Sequence, residues 1–430
     1  MMYNEQQTTQ AVSATSIEDE KSADMMVNNL EYSQPKALSL ATNRNLQKSF
    51  FQRSQYDGSR STTMIVDINS GTSFVNCANS YLALSIKLKG AVGATGSFGS
   101  GSAMNVINTV RVKSRSGVEL SRVQSANRWS LFNSVYHRSA QNLDTVGILE
   151  GFTNGRNPAI TTVIDSSSKK FLIPLACLSP YFSPMDGQLM PPQLASGLRI
   201  ELDLEDYRTS LYQIGLDAVT GYEITDCYIQ LDSTELTDET QRAINMDSAK
   251  DGLEWATDQV YTTLTQIPAN QLTTSVQVRK AVSQACYAYS IMTSTADKND
   301  VTKDSLVAVP FNCDSFTYRL GSLYFPQQRI EAAADGTECC MIAYETFDKL
   351  RNTFHETSVD LIDFRNKFGI LAASLERDQS LQFSGLAVNN SRTLELDAQF
   401  VAVPEGQEIV TFLVYCGVVR AWIDNTSIAV

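Results

Sequence analysis

From about residue 61 onward the chain is written in short apolar runs that alternate at every second residue, and this period constrains the fold more than any other feature. In YLALSIKLK, Leu82, Leu84, Ile86 and Leu88 fall on one side of an extended backbone, with Ser85, Lys87 and Lys89 on the other. That is the pattern of a half-buried strand. TMIVDI, NTVRVKSR, KKFLIPL, LRIELDLE and YEITDCYIQLD read the same way, bounded by Gly, Asn, Asp or Ser. After a polar, acidic connection at 234–252 the grammar resumes in WATDQVYTTLTQI, ACYAYSIM, SFTYRLG, LYFPQQRI, FGILAAS, TLELDAQFV and EIVTFLVYCGVVRAWI. Helical patterns are short, the best lying near 126–138 and 339–354.

The second series of strands echoes the first. Ile200-Glu201-Leu202-Asp203 recurs as Leu394-Glu395-Leu396-Asp397, with Arg199 and Arg392 ahead of them. The turn in VRVKSRSGVEL, at Gly117, recurs in FTYRLGSLYF, at Gly321, and each is followed by a short helical stretch. Offsets of roughly 190 to 205 residues are too long for a solenoid and point to a duplicated domain. A chain of 430 residues is long enough for two large domains. The expected fold is all-β: two consecutive eight-stranded antiparallel jelly-roll sandwiches, a double jelly roll, with short helices in the connections. The expected boundaries are a polar N-terminal arm at 1–55, a first roll at 56–245 and a second at 246–430. The arm shows no sustained period. Its first 35 residues hold six acids and only Lys21, whereas residues 36–60 hold Lys36, Arg44, Lys48, Arg53 and Arg60 against Asp57, a basic stretch at and just past its end.

Composition closes several function classes. A formal charge of -13 argues against nucleic-acid binding by the body of the protein. The eight cysteines include no CxxC, which removes the common zinc and redox spacings, and most sit in apolar runs as small buried residues of a reducing compartment. The N-terminal residues lack the features of a secretory signal, and no run approaches the ~18 apolar residues of a membrane span. Only His137 and His355 exist, so a histidine-rich metal site is excluded, and both read as capping or surface residues. The glycine-rich GAVGATGSFGSGS at 90–102 has no helix or lysine placed to hold phosphate and reads as a mobile loop. No catalytic, cofactor-binding or metal residue is expected.

Other groupings have a structural reading beside a chemical one. Glu201, Asp203 and Glu205 could suggest a cation or acid–base site, but i, i+2 carboxylates on one strand lie about 7 Å apart in a row, as on a solvated or cross-strand-paired face. Arg111, Lys113 and Arg115 form the matching basic row, facing phosphate or solvent. The vicinal Cys339-Cys340 reads as packing, since nothing near it in sequence activates a thiol. Tyr181-Phe182 and Tyr324-Phe325-Pro326 serve either cores or subunit contacts.

Several stretches keep a particular order: TMIVDINSGTSFVNCANSYLALSI, then FLIPLACLSPYFSPMDGQLMPPQLASGLRIELDL, then LGSLYFPQQRI, then SGLAVNNSRTLELD followed by EIVTFLVYCGVVRAWID. In this order residues 56–430 resemble the double jelly-roll major capsid proteins of tailless icosahedral double-stranded DNA viruses, those of polinton-like viruses and virophages in particular. The resemblance implies a structural protein, not an enzyme, that forms pseudo-hexagonal homotrimeric capsomers and tiles an icosahedral virion capsid. Its implied partners are itself, neighbouring capsomers, and penton and minor capsid proteins. A carbohydrate-binding or adhesin protein of two β-sandwiches is the competing reading, because jelly rolls also serve lectins. A β-sandwich hydrolase would need Asp/Glu pairs converging in a cleft.

In a jelly roll the second and seventh strands are antiparallel neighbours. Assigned to 79–89 and 197–205, they would set Lys87 and Lys89 beside Glu201, Asp203 and Glu205. Leu84→Asp would then abolish folding while Lys87→Ala would be nearly silent.

Overall fold

The computed structural model describes residues 41–429, apart from 59–61, 153–162, 186, 251, 309–312, 333–335, 348–356, 379–383, 390–391, 402–405 and 423–426. The expected arm therefore falls largely outside the described residues.

Eight strands build the first half: β1 (Ala41–Phe50), β2 (Thr63–Ile68), β3 (Phe74–Gly90), β4 (Ile107–Lys113), β5 (Glu119–Gln124), β6 (Lys169–Pro174), β7 (Leu198–Leu204) and β8 (Val219–Leu236). They form two antiparallel sheets ordered β1-β8-β3-β6 and β2-β7-β4-β5. The second half repeats this with β9 (Leu253–Ile267), β10 (Thr273–Val278), β11 (Val282–Ser294), β12 (Cys313–Leu320), β13 (Leu323–Glu331), β14 (Ile370–Ser374), β15 (Leu394–Phe400) and β16 (Gln407–Ala421). Its sheets are ordered β9-β16-β11-β14 and β10-β15-β12-β13, the same topology displaced by eight strands. Short additional strands extend two of these sheets, one in each half, or pair with each other. This is a double jelly roll, and the strands supply its inner faces by the alternation read from sequence: Leu82, Leu84 and Ile86 on β3, and Ile200 and Leu202 on β7, are all fully buried.

The echoes in the sequence mark equivalent places. IELD and LELD lie on the seventh strand of each roll, and Gly117 and Gly321 lie at the tips of the β4–β5 and β12–β13 hairpins. Both glycines take positive φ, +84° and +62°, which a side chain would strain. In each roll an arginine of the fourth strand stands opposite the glutamate of the seventh, Arg111 with Glu201 and Arg319 with Glu395. Arg111 bonds Asp203 and lies 3.6 Å from Glu201; Arg319 bonds Glu395 and lies 3.8 Å from Asp397. One cation thus clasps two carboxylates at i and i+2 in both halves.

Two expectations are corrected. Residues 41–50 are not arm but the first strand of the first roll, paired with β8. All of β1 is exposed except Gln47 and Ser49, so both faces meet solvent and no period of two is imposed on the sequence. Main-chain pairing holds it at the sheet edge, with Arg44 in a two-bond pair to buried Asp232 at 2.7 and 2.8 Å. Missing that strand shifted the count by one, so 79–89 and 197–205 lie in different sheets. The segment 79–89 belongs to the third strand, between β8 and β6, while β7 pairs with the true second strand in register Thr63↔Asp203, Val66↔Ile200. Lys87 therefore faces Glu223 at 2.7 Å and Lys89 faces Asp57 at 3.0 Å.

Because Glu223 is buried, Lys87→Ala is expected to lower stability by about 1–2 kcal/mol in denaturant titration rather than to be silent, while Leu84→Asp prevents folding. The Arg44 hydrogen bonds hold the Asp232 carboxyl below the usual carboxylate range, with burial opposing and Asn79 assisting. A depressed folded pKa stabilises above the unfolded value of about 3.9 and ceases to do so as pH falls through the folded one. Arg44→Ala should therefore lower stability at pH 7. That difference should shrink progressively below pH 4 in parallel denaturation curves.

Candidate functional surfaces

The connections that follow the two hairpins carry helices, α1 (Ala126–His137) and α3 (Thr337–Phe347), and α2 (Asp238–Lys250) joins one roll to the next. α1 is buried on nearly every side, including Trp129, Phe132 and Tyr136, because it lies in the seam between the rolls. There Tyr136 stacks on Phe347 of α3 with ring centroids 4.8 Å apart and donates its hydroxyl to the Phe368 carbonyl at 2.7 Å. The Trp255 indole donates to the Tyr181 carbonyl at 3.0 Å, and the Thr262 hydroxyl to the Gln124 carbonyl at 3.0 Å. At the centre Arg128 meets Glu408 at 2.5 Å, both side chains less than a tenth exposed, with Lys298 at 3.2 Å. Burial pushes the Glu408 carboxyl up, but Arg128 and Lys298 together outweigh it and hold the group below its usual value. Residues 43–430 pack as one compact unit across this seam.

Glu201 and Asp203 are engaged by Lys113, at 2.8 Å, and by Arg111, so the acidic and basic rows neutralise each other across neighbouring strands. Arg115 is exposed beyond the end of β4. Glu205 lies past the end of β7, where burial raises its carboxyl and the Asn127 amide donates to it at 3.5 Å. Cys339 and Cys340 are buried in the first turn of α3, and burial pushes both thiols up, well up for Cys339, which donates to the Ile370 carbonyl. Few thiolates form under those conditions. His137 ends α1 with Nδ1 3.0 Å from the Asn133 carbonyl, while His355 lies outside the described residues.

The glycine-rich stretch is built rather than mobile. Thr95–Ser97 pairs with Tyr212–Ile214, Phe98 is buried, and Ser100 donates its amide and hydroxyl to Asp304 of the second roll, both at 2.6 Å. A Cβ at Gly99 would come within 2.6 Å of the Asp304 carboxyl, so glycine there permits the close approach. The basic end of the expected arm is also occupied in part, by Arg44 on Asp232 and by Lys48, whose ammonium sits 4.4 Å from the Tyr228 ring centroid. Lys36 and Arg60 lie outside the described residues.

The two aromatic clusters separate. Tyr181 and Phe182 are buried and belong to the seam. Leu323 and Tyr324 are about half exposed and, with Phe325, Pro326, Arg377 and Leu386, line an open groove of about 600 Å³. Val118, at the equivalent hairpin tip of the first roll, is 43% exposed. A cleft of about 970 Å³ collects Asp144, Asp297, Asp304, Asp360 and Asp363, but several have structural partners: Asp297 pairs with Lys303, Asp304 holds Ser100, and Asp360 accepts the Asp363 amide. No helix among the described residues is long and apolar enough to cross a membrane.

The seam ion pair was not legible in sequence, because its members are 280 residues apart and each sits in an ordinary strand or helix context. Removing the arginine leaves the buried Glu408 carboxylate to Lys298, a partly exposed lysine 3.2 Å away. Arg128→Ala is expected to lower stability by about 1–3 kcal/mol, and the double change Arg128→Met with Glu408→Leu to recover most of it, as read from urea midpoints.

No protein-family model matches the sequence, and no curated protein matches it. Solved structures do match in fold. The crystal structure of PBCV-1 VP54, fitted into an electron-microscopy reconstruction of the virophage Sputnik, covers 93% of this chain and 98% of its own with a TM-score of 0.62 at 10% identity. The Faustovirus major capsid protein covers 91% and 92% at 0.57 and 8% identity, and the mavirus major capsid protein 93% and 93% at 0.52 and 10% identity. At such identities the likeness is one of fold, and it runs through both rolls.

Proposed function

We propose that this chain is a major capsid protein: a structural protein, not an enzyme, that trimerises into pseudo-hexagonal capsomers and tiles an icosahedral virus shell. The observation that carries the reading is the pair of rolls with one topology, locked into a unit by a buried seam. Three such chains around an axis present six roll-sized bodies, and a near-sixfold tile covers a surface that a single roll would need six separate chains to cover. The fold neighbours named as major capsid proteins span both rolls and so support the same reading. The rolls divide within α2, near residues 245 and 246, and the first begins at β1. Its partners are copies of itself, with penton and minor capsid proteins at special positions of the shell. The chain resides in the virion capsid after assembly in a reducing compartment, consistent with cysteines held as thiols.

Size-exclusion chromatography with light scattering tests the first step. A particle about three times the 47.4 kDa chain mass is expected. A stable monomer that binds glycans on an exposed aromatic surface and never associates would instead support the lectin-like reading.

A further inference from the structure

Outside the seam and the exposed hairpin tips, one constellation has a chemistry that neither packing nor shell assembly calls for. In the second roll Asp258 on β9 stands directly opposite Cys416 on β16, and Cys286 on β11 lies in the irregularity opposite Tyr415 and Val414. Three neighbouring strands thus contribute one donor each. The two sulfurs are 3.3 Å apart, no disulfide joins them, and all three donor atoms lie within 4.8 Å of one another. Cys286 is buried, whereas Asp258 and Cys416 are half-buried, which leaves a path from solvent. Cys416 also borders a cavity of about 470 Å³ lined by Gln259, Lys280 and Tyr415, and the Lys280 ammonium there is turned over the Tyr261 and Tyr415 rings.

We infer that Asp258, Cys286 and Cys416 form a binding site for a thiophilic divalent cation of the zinc class. Two sulfurs and one carboxylate oxygen select such an ion over magnesium or calcium, which take oxygen donors. Tetrahedral bonds of about 2.3 Å to sulfur and 2.0–2.2 Å to oxygen place the donors roughly 3.4–3.8 Å apart, within a small side-chain adjustment of the spacing seen. Binding releases the two thiol protons to solvent, and two thiolates, one carboxylate and a water complete the coordination at a net charge of minus one. The site is invisible to a spacing search, since its members stand at 258, 286 and 416 and meet only when the sheet forms. The cation would staple β9, β16 and β11, so its binding free energy becomes folding free energy of the second roll. None of this depends on the shell reading.

The test uses the full-length chain, reduced with a phosphine and stripped of metal, then titrated with Zn²⁺ and separately with Co²⁺. One ion per chain is expected, with a raised thermal midpoint for zinc and, for cobalt, the charge-transfer absorption of a metal–thiolate bond. Cys416→Ser and Cys286→Ser should each lose most of the binding, and Asp258→Asn should weaken it roughly tenfold while keeping the thiolate band. If Cys286→Ser fails to fold, the half-buried Cys416→Ser carries the reading. Failure to retain either ion, cobalt absorption without a thiolate band, or equal binding by the folded Cys416→Ser variant would each overturn the site.

Discussion

The seam between the two rolls is the interaction on which the rest of the molecule depends. The buried residues of the two rolls form one continuous apolar core, and helices pack into it at the seam instead of leaving apolar surface in water. Tyr136 against Phe347, Trp255 against the Tyr181 carbonyl and the Arg128–Glu408 pair join parts of the chain that are far apart in sequence. The apolar contacts supply the larger stabilising contribution. The buried ion pair adds geometry, because a misaligned seam would leave either charge without its partner in a dry site. The seam thus packs two sandwiches into one compact unit.

The same contact appears once in each roll. The fourth and seventh strands meet through an arginine that clasps two acids, Arg111 with Glu201 and Asp203, and Arg319 with Glu395 and Asp397. Partly exposed pairs of this kind contribute little stability, yet they penalise a slipped register that would turn charges inward. Their recurrence at equivalent positions gives both rolls the same register device.

Much of this was legible in sequence because half-buried strands must alternate. The inner faces of β3 and β7, the hairpin tips at Gly117 and Gly321, and the repeated IELD and LELD could all be read from periodicity and turn chemistry. β1 could not, since an edge strand with both faces in solvent carries no alternation. Its omission moved 79–89 one place along the roll and into the wrong pairing. The glycine-rich segment was misread for a related reason: its order comes from Asp304, about 200 residues away, not from its own composition. Arg128–Glu408 and the Asp258, Cys286 and Cys416 grouping were hidden because tertiary structure alone brings their members together.

The proposed function holds that two like rolls, locked at a buried seam, make a tile whose three copies imitate a sixfold unit. Electron microscopy of the purified, assembled chain tests it most directly. The account predicts threefold capsomers with a near-hexagonal outline, six roll-sized densities in two alternating classes, and closed shells built from them. Particles with one roll-sized density per chain position, or chains whose two rolls take variable relative orientations, would contradict it.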